Sequence, residues 1–441
     1  MIAGSLQTFL SLQVVAFSST ILAIVGPTNA FVTDVRLLTR NSSGRQIANP
    51  IALAAGGFGK APTGKSTSKK KKNTKTKRKK NPAKPELTYI SYDSNDGGSE
   101  ESQQATRALM EWLDEEEVEG LDSVEIGVSK PDGPSPGLRG VFAKHDIMPG
   151  EYIMAVPYVT TLLVDEDFDP TSDPGEVLLR ADEPEVGFKF WEGFFCNNDN
   201  KQKYKSFLDC LPMSPEDPNF DGTPDFWSEE DIRQLEIPGV VDKMLTRKEA
   251  IEGFVDRISD SIPTSDGTDN GDKTAALATI QQCCWLVQSR AFTTYKKAID
   301  LDGNVGLLSR VVLIPFIDMI NHASRKHANA EMQVVETKEY DESFYALVAT
   351  KPIRKGTEIK ICYGTGEETS LEIFSKYGFW PEVEDRQKEK ESLQKLLENV
   401  KWSTTFEEDK AMLETEEGNP NPKEPMKTIL TIRIYAKSLL L

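Results

Sequence analysis

The sequence predicts an α+β domain of several small β-sheets, with a helical insert and a short helical C-terminal segment. Three observations point there. Short apolar segments bounded by turn residues occur between residues 124 and 156 and return between 311 and 362. Between them, residues 165–273 are acidic and rich in Pro, Gly and Asp, with helical islands in place of strands. The β-α alternation of a doubly wound sheet is missing. At 441 residues and 38% hydrophobic content, the chain can fill one sizeable core besides its tails.

The N-terminal 90 residues read as a leader. Residues 1–30 carry no charge. The apolar run Phe9–Val25 ends in Gly26-Pro27-Thr28-Asn29-Ala30, small residues suited to signal-peptidase cleavage after Ala30. The other reading of that run is a membrane anchor. From Phe31 onward Arg36, Arg40 and Arg45 stand among Ser, Thr and Ala with almost no acid, a transit-peptide composition. Signal first and transit segment second resembles the bipartite plastid leader of algae with complex plastids. Lys69–Lys80 holds nine cations in twelve residues and reads as a solvated linker or a nuclear address. Gly59–Ser66 satisfies G-x-x-x-x-G-K-[ST], but it has neither the preceding strand nor the following helix that aims backbone N–H groups at phosphate.

Charge separates leader from body. Residues 1–90 carry 15 Lys/Arg against 2 Asp/Glu, the remainder 37 against 68. The overall charge of −18 argues against general nucleic-acid binding. Five cysteines without a C-x-x-C pair and only three histidines argue against a structural zinc or a His-based metal centre.

Each element of the body has a local rationale. Ser99–Glu117 reads as an amphipathic helix: Ala105, Leu109, Trp112 and Leu113 share a face, Glu100 and Glu101 suit the positive N-terminus, and Gly120 ends it. Val124–Ile126 and Gly140–Ala143 read as strands around the turn 132–137, and Tyr152–Val156 as another ahead of Pro157. Helical islands fall near Phe188–Phe195, Lys203–Leu211 and Glu229–Leu235, with a loop at Ser265–Asp272. Leu277, Ile280, Cys284, Val287 and Ala291 step by three and four, predicting a helix over Thr274–Ile299. Strands are expected at Val311–Phe316, Ala330–Val335, Phe344–Thr350 and Glu358–Cys362, then a helix at Leu371–Tyr377. The charged tail 382–441 ends in an amphipathic stretch, Met426–Leu441.

Three motifs occur in order. Gly137-Leu138-Arg139-Gly140-Val141-Phe142-Ala143 precedes Asp146-Ile147 and Pro149-Gly150-Glu151. Ser289-Arg290-Ala291-Phe292 precedes Ile317-Asp318-Met319-Ile320-Asn321-His322. Lys355-Gly356-Thr357-Glu358-Ile359 leads to Ile361 and Tyr363-Gly364, followed by Tyr377-Gly378-Phe379. On the residues alone, Asp318, Asn321 and His322 form either a strand-ending turn or a ligand site. A buried Arg290 needs a carboxylate, either of a ligand or within the chain. Tyr363 is either a core tyrosine or a reactive one.

Together the motifs resemble the SET-domain methyltransferases over about residues 100–381. The Ser-Arg-Ala-Phe helix, the long insert and the leading Trp112-Leu113 helix are most similar to the Rubisco large-subunit lysine methyltransferase branch. The resemblance implies a SET domain at 91–381 with its insert at about 165–305, and a knot-like threading beside Asn321-His322. It implies S-adenosyl-L-methionine as cofactor, held by Gly140, Phe142, Arg290, Asp318, Asn321, His322 and Tyr363. It places Tyr363 as the catalytic residue, where the methyl donor meets a lysine amine, with Ile361 and Phe379 as channel walls. The expected partner is a non-histone, plastid protein presenting a lysine. No metal, nucleic acid or lasting membrane insertion is expected, and the chain is expected to be a monomer. The alternatives are a nuclear histone-lysine methyltransferase and an inactive SET-fold binding module. Two departures stand out. Gly364–Ser370 is about two residues longer than the family loop and lacks its Ser-Asn, and residues 382–441 are short for the family's helical substrate-binding domain.

Overall fold

The computed structural model describes residues 89–91, 100–129, 139–169, 181, 183–212, 224–258, 271–299, 303, 305–337, 343–381, 383, 385–418 and 424–441. The expected leader up to residue 88, including the lysine run, lies outside them, as do Gly137 and Leu138. Three sheets form among the described residues. The first orders β1 (Tyr89–Ser91), β2 (Val124–Ser129), β3 (Arg139–Ala143), β11 (Glu358–Ile361) and β8 (Asn321–His322). The second orders β4 (Tyr152–Pro157), β10 (Phe344–Ala349) and β9 (Ala330–Val335), and the third β5 (Leu162–Asp169), β7 (Val305–Leu313) and β6 (Phe292–Ile299).

The last strand is the topological key. β11 slots between two elements made far earlier in the chain. It pairs antiparallel with β3, Glu358 opposite Phe142 and Ile359 opposite Val141. It pairs parallel with β8, Lys360 opposite Asn321 and Ile361 opposite His322. This is the threading the resemblance implies.

The leading helix α1 (Glu100–Glu115) buries Leu109, Trp112 and Leu113 as its pattern requires. The insert begins with α2 (Pro184–Phe190), a π-helical turn at Trp191–Cys196, α3 (Asn198–Lys203), α4 (Lys205–Leu208) and α5 (Glu229–Arg233). It continues through α6 (Pro238–Ile258) and α7 (Gly271–Arg290). After β11 come α8 (Ser370–Tyr377), α9 (Arg386–Leu397), α10 (Phe406–Glu417) and α11 (Glu424–Leu440).

Three expectations need correction. The helix expected over 274–299 stops at Arg290, and Phe292–Ile299 pairs residue for residue with β7. Phe292-Thr293-Thr294-Tyr295 is a run of β-branched and aromatic residues that suits a pleated ladder, and Thr293 and Thr294 are buried in it. The insert does not run unbroken from 165 to 305. The acidic Leu162–Asp169 is a strand paired with β7, with Glu166 opposite Arg310, so both ends of that span belong to one sheet. The 21-residue α6 was hidden by its charged face, although Val240, Val241, Met244, Ile251, Phe254 and Val255 are buried.

Two clusters make most of the core. The larger joins α1, the strands and α7 through residues such as Leu113, Val141, Leu286, Phe316 and Ile359. The second combines the insert with the C-terminal tail: Trp227, Leu235, Ile237, Val240 and Met244 pack with Leu371, Phe374, Leu393, Ile429 and Leu439. The tail is therefore an integral part of the fold.

Candidate active site

The site forms where β3, β8 and the end of β11 meet. Ile314–Ile317 leads into it through Phe316, held at φ +72°. A one-turn 3-10 helix, Ile317–Met319, then turns the chain into β8. This turn lets Asp318 point inward while Asn321 and His322 join the sheet.

Asn321 is fixed by two strong hydrogen bonds. Its Nδ2 donates to the Arg139 carbonyl and to Glu358 Oε1, each at 2.7 Å. Gly140 makes this possible. A Cβ there would lie 2.5 Å from Glu358 Oε1 and 3.0 Å from Asn321 Nδ2. A side chain there would push the Glu358 carboxylate and the Asn321 amide out of these positions.

Arg290 closes α7 and meets Asp318. Its Nη1 lies 3.5 Å from Asp318 Oδ2 and 3.3 Å from the Asp318 carbonyl. The Asp318 side chain is fully buried. Burial raises its carboxyl pKa, and Arg290 and then Arg139 oppose that rise. Among the described residues, Arg290 Nε and Asp318 Oδ1 are buried without hydrogen-bond partners. One donor and one acceptor thus remain unspent in one small region.

Tyr363 is clamped from two sides. Its backbone N–H donates to His322 Nδ1 at 3.0 Å, and its hydroxyl donates to the Ile320 carbonyl at 2.6 Å. His322 must therefore carry its proton on Nε2. Burial, then Lys360, pushes the His322 pKa down to about 4, so the ring is neutral at neutral pH. The Tyr363 ring stands 5.1 Å from His322, 5.2 Å from Tyr377 and 6.1 Å from Phe379.

The structure brings Gly140, Arg290, Asp318, Asn321, His322, Tyr363 and Phe379 into connected contact. Two expected residues stand differently. Ile361 is packed in the large core, and so is Tyr377, whose ring stands beside Tyr363. Phe142 is 1% exposed and lies in β3 between β2 and β11, opposite Glu125 and Glu358. Sequence reasoning missed Glu358. The available signal was an acidic residue set on a strand that pairs beside a glycine-bearing one.

The lengthened loop after Tyr363 is well built. Gly364 and Gly366 take positive φ, +69° and +75°. The Glu368 carboxylate accepts from the Thr365 N–H (2.8 Å), the Thr365 hydroxyl (2.9 Å) and the Gly366 N–H (2.8 Å). Arg325 donates to the Thr365 carbonyl at 2.7 Å. A cavity of about 430 Å³ lies between this loop and the tail, lined by His322, Arg325, Cys362, Glu367, Lys388 and Glu389 among others. Of the cluster residues only His322 reaches it. Among the described residues, no group of three or more His, Cys, Asp or Glu could hold a metal, and no helix is long and apolar enough to cross a membrane.

The SET domain family model matches residues 138–364, more than half of the chain. The chain belongs to the SET-domain family. Among solved structures it is similar to the SET domain of LSMT bound to lysine and AdoHcy. That match has 16% sequence identity and a TM-score of 0.50, over 76% of this chain and 89% of that one. The same domain bound to methyllysine and AdoHcy matches at 16% identity and a TM-score of 0.49, over the same shares. The first of these shows a shared fold. No curated protein sequence matches significantly.

Proposed function

We propose that the chain is an S-adenosyl-L-methionine-dependent protein-lysine N-methyltransferase. One observation carries the reading. The parallel pairing of β8 with β11 holds the Tyr363 phenol against Ile320 and its backbone against His322, inside a SET fold whose solved relative is described with lysine and AdoHcy.

The residues fit an amino-acid-bearing nucleoside. Asn321 Oδ1 is an acceptor for an ammonium, because both amide hydrogens are already spent. The unpartnered Nε of Arg290 is a donor for a carboxylate. When bound, the cofactor supplies a methyl group on a positively charged sulfur.

The chain's own residues do the rest. The Tyr363 hydroxyl spends its hydrogen on Ile320, so toward a ligand its oxygen is an acceptor, suited to orient an amine N–H and to take weak C–H contacts. Tyr377 and Phe379 help to exclude water beside Tyr363, and the desolvation of an entering amine disfavours its ammonium form. A lysine entering there loses its proton to solvent and arrives as the neutral nucleophile. Placement of the two reactants in line supplies most of the acceleration.

We propose further that the substrate is a non-histone plastid protein, on the strength of the leader, and that the chain works as a monomer. Two experiments test these points. Purified chain incubated with methyl-labelled cofactor and plastid extract should label a lysine-bearing protein. Absence of transfer, together with absence of AdoHcy binding by calorimetry, would reject the enzyme. A reporter fused to residues 1–90 should enter plastids, and a purely nuclear signal would move the activity to histones.

A further inference from the structure

We propose that Glu358 is a positioning residue that sets the orientation of the Asn321 amide, and so makes this site selective for ligands bearing a primary ammonium. The inference rests on the methyltransferase reading and adds a residue and a recognition rule to it.

The argument starts from donors and acceptors. A side-chain amide can sit in two orientations related by a flip, and its surroundings choose between them. Here both neighbours of Asn321 Nδ2 are pure acceptors, the Arg139 carbonyl and Glu358 Oε1, each at 2.7 Å. A flipped amide would set its own oxygen against two others. The flip is closed, and Oδ1 is the only polar atom Asn321 has left. Among the described residues it has no partner. An acceptor with no donor of its own takes an N–H or O–H donor, and an ammonium makes the strongest such bond because the donor is charged.

Glu358 is itself held. Its second oxygen lies 3.0 Å from Lys360 Nζ, and its side chain is 17% exposed. Its first oxygen lies in the space left by the missing Cβ of Gly140. Backbone alone, through Arg139, engages one amide hydrogen. The second is engaged by Glu358, which also brings a negative charge close to the place an ammonium would take. The residue touches Asn321 and not the reacting atoms, so its effect should be felt in binding of the amino-acid end.

Two probes separate this from a general structural role. S-adenosylhomocysteine carries the ammonium, while 5′-methylthioadenosine keeps the adenosine and sulfur and lacks the amino-acid end. Glu358→Ala should weaken S-adenosylhomocysteine binding by about 10- to 100-fold, the worth of one hydrogen bond to a charged group. It should leave the 5′-methylthioadenosine affinity within about twofold. Glu358→Gln, which retains an acceptor, should recover most of the loss. Glu358→Met keeps the volume without the acceptor and gives the same ratio where the alanine variant does not fold. An equal loss for both probes, no loss for either, or unfolding of both the alanine and methionine variants would overturn the proposal. Wild-type protein that binds neither probe would instead overturn the cofactor reading beneath it.

Discussion

Tyr363→Phe removes one oxygen and leaves the ring where it is. The backbone N–H that donates to His322 Nδ1 is untouched. The ring keeps its cage of His322, Tyr377 and Phe379. What disappears is the 2.6 Å bond to the Ile320 carbonyl. Ile320 is fully buried, so its carbonyl regains water poorly, and the cost is about 1–3 kcal/mol. At about 2–4 °C per kcal/mol for a domain of this order of size, the melting temperature should fall by about 2–12 °C. Chemistry should suffer more. In the proposed reaction the phenol oxygen orients the amine in the transition state, and losing one preorganised group of this kind costs about 10²- to 10³-fold in kcat. The amino-acid and nucleoside contacts lie elsewhere, so AdoHcy affinity should stay within about threefold. Initial rates, titration calorimetry and a thermal scan on the same preparation give the three numbers. Equal factors lost from kcat and from AdoHcy affinity would make the phenol a structural strut and refute its role. An unchanged kcat would refute it as well.

Arg290→Met leaves the buried Asp318 carboxylate without its nearest cation and should cost about 3–5 kcal/mol in a denaturant melt, most of it returned by adding Asp318→Asn. Because burial raises the folded pKa of Asp318, its protonated form favours the fold. The Arg290→Met deficit should therefore shrink as pH falls through that raised pKa and grow as pH rises through it. His322 has the opposite sign. Its folded pKa of about 4 lies below the ordinary 6.5, so its contribution is complete above pH 6.5 and is lost as pH falls toward 4. The loss amounts to at most about 3 kcal/mol. His322→Asn keeps an acceptor for the Tyr363 N–H and should flatten the melting-temperature profile between those values. Asp409 is fully buried between Arg433 (3.1 Å) and Lys437 (2.5 Å). Asp409→Asn should cost about 3–5 kcal/mol by chemical denaturation, because it strands two buried cations.

The legible parts of the chain were those in which side-chain period and burial coincide. α1, β4, β9 and β10 appear within a residue or two of their expected bounds, α1 with one apolar face and β10 buried on both faces. The three motifs were legible in order, and the structure assembles them around Tyr363. The illegible parts have physical causes. Leu162–Asp169 is acidic and looks like insert, yet Asp165 and Glu166 are matched by Lys189 and Arg310 across space, and no local pattern announces such partners. The continuation from α7 into β6 keeps a helical spacing as far as Ala291, so only the Thr-Thr-Tyr run marks the change. Glu358 looked like any strand-edge carboxylate. Its role depends on a glycine more than two hundred residues earlier, and only the antiparallel pairing of β11 with β3 brings the two together.

The short tail acquires its meaning through α8. This helix begins in a capping box made by Thr369 and Glu372 and ends at Gly378 in the left-handed conformation. Its two faces serve different cores. Leu371 and Phe374 pack with the insert and the tail, whereas Ile373 and Tyr377 pack with the catalytic sheets. Its last carbonyls are held by Arg247 from α6, which donates to Ser375 at 2.9 Å, and by Gln288 from α7, which donates to Lys376 at 3.1 Å. Tyr377 and Phe379, the wall beside Tyr363, hang from the end of this helix. Insert and tail thus fix the wall against the phenol through one eight-residue element. The tail is part of the support of the site for that reason. Its apolar side chains complete the surface on which α8 rests, and α8 sets how closely Tyr377 and Phe379 approach the Tyr363 ring.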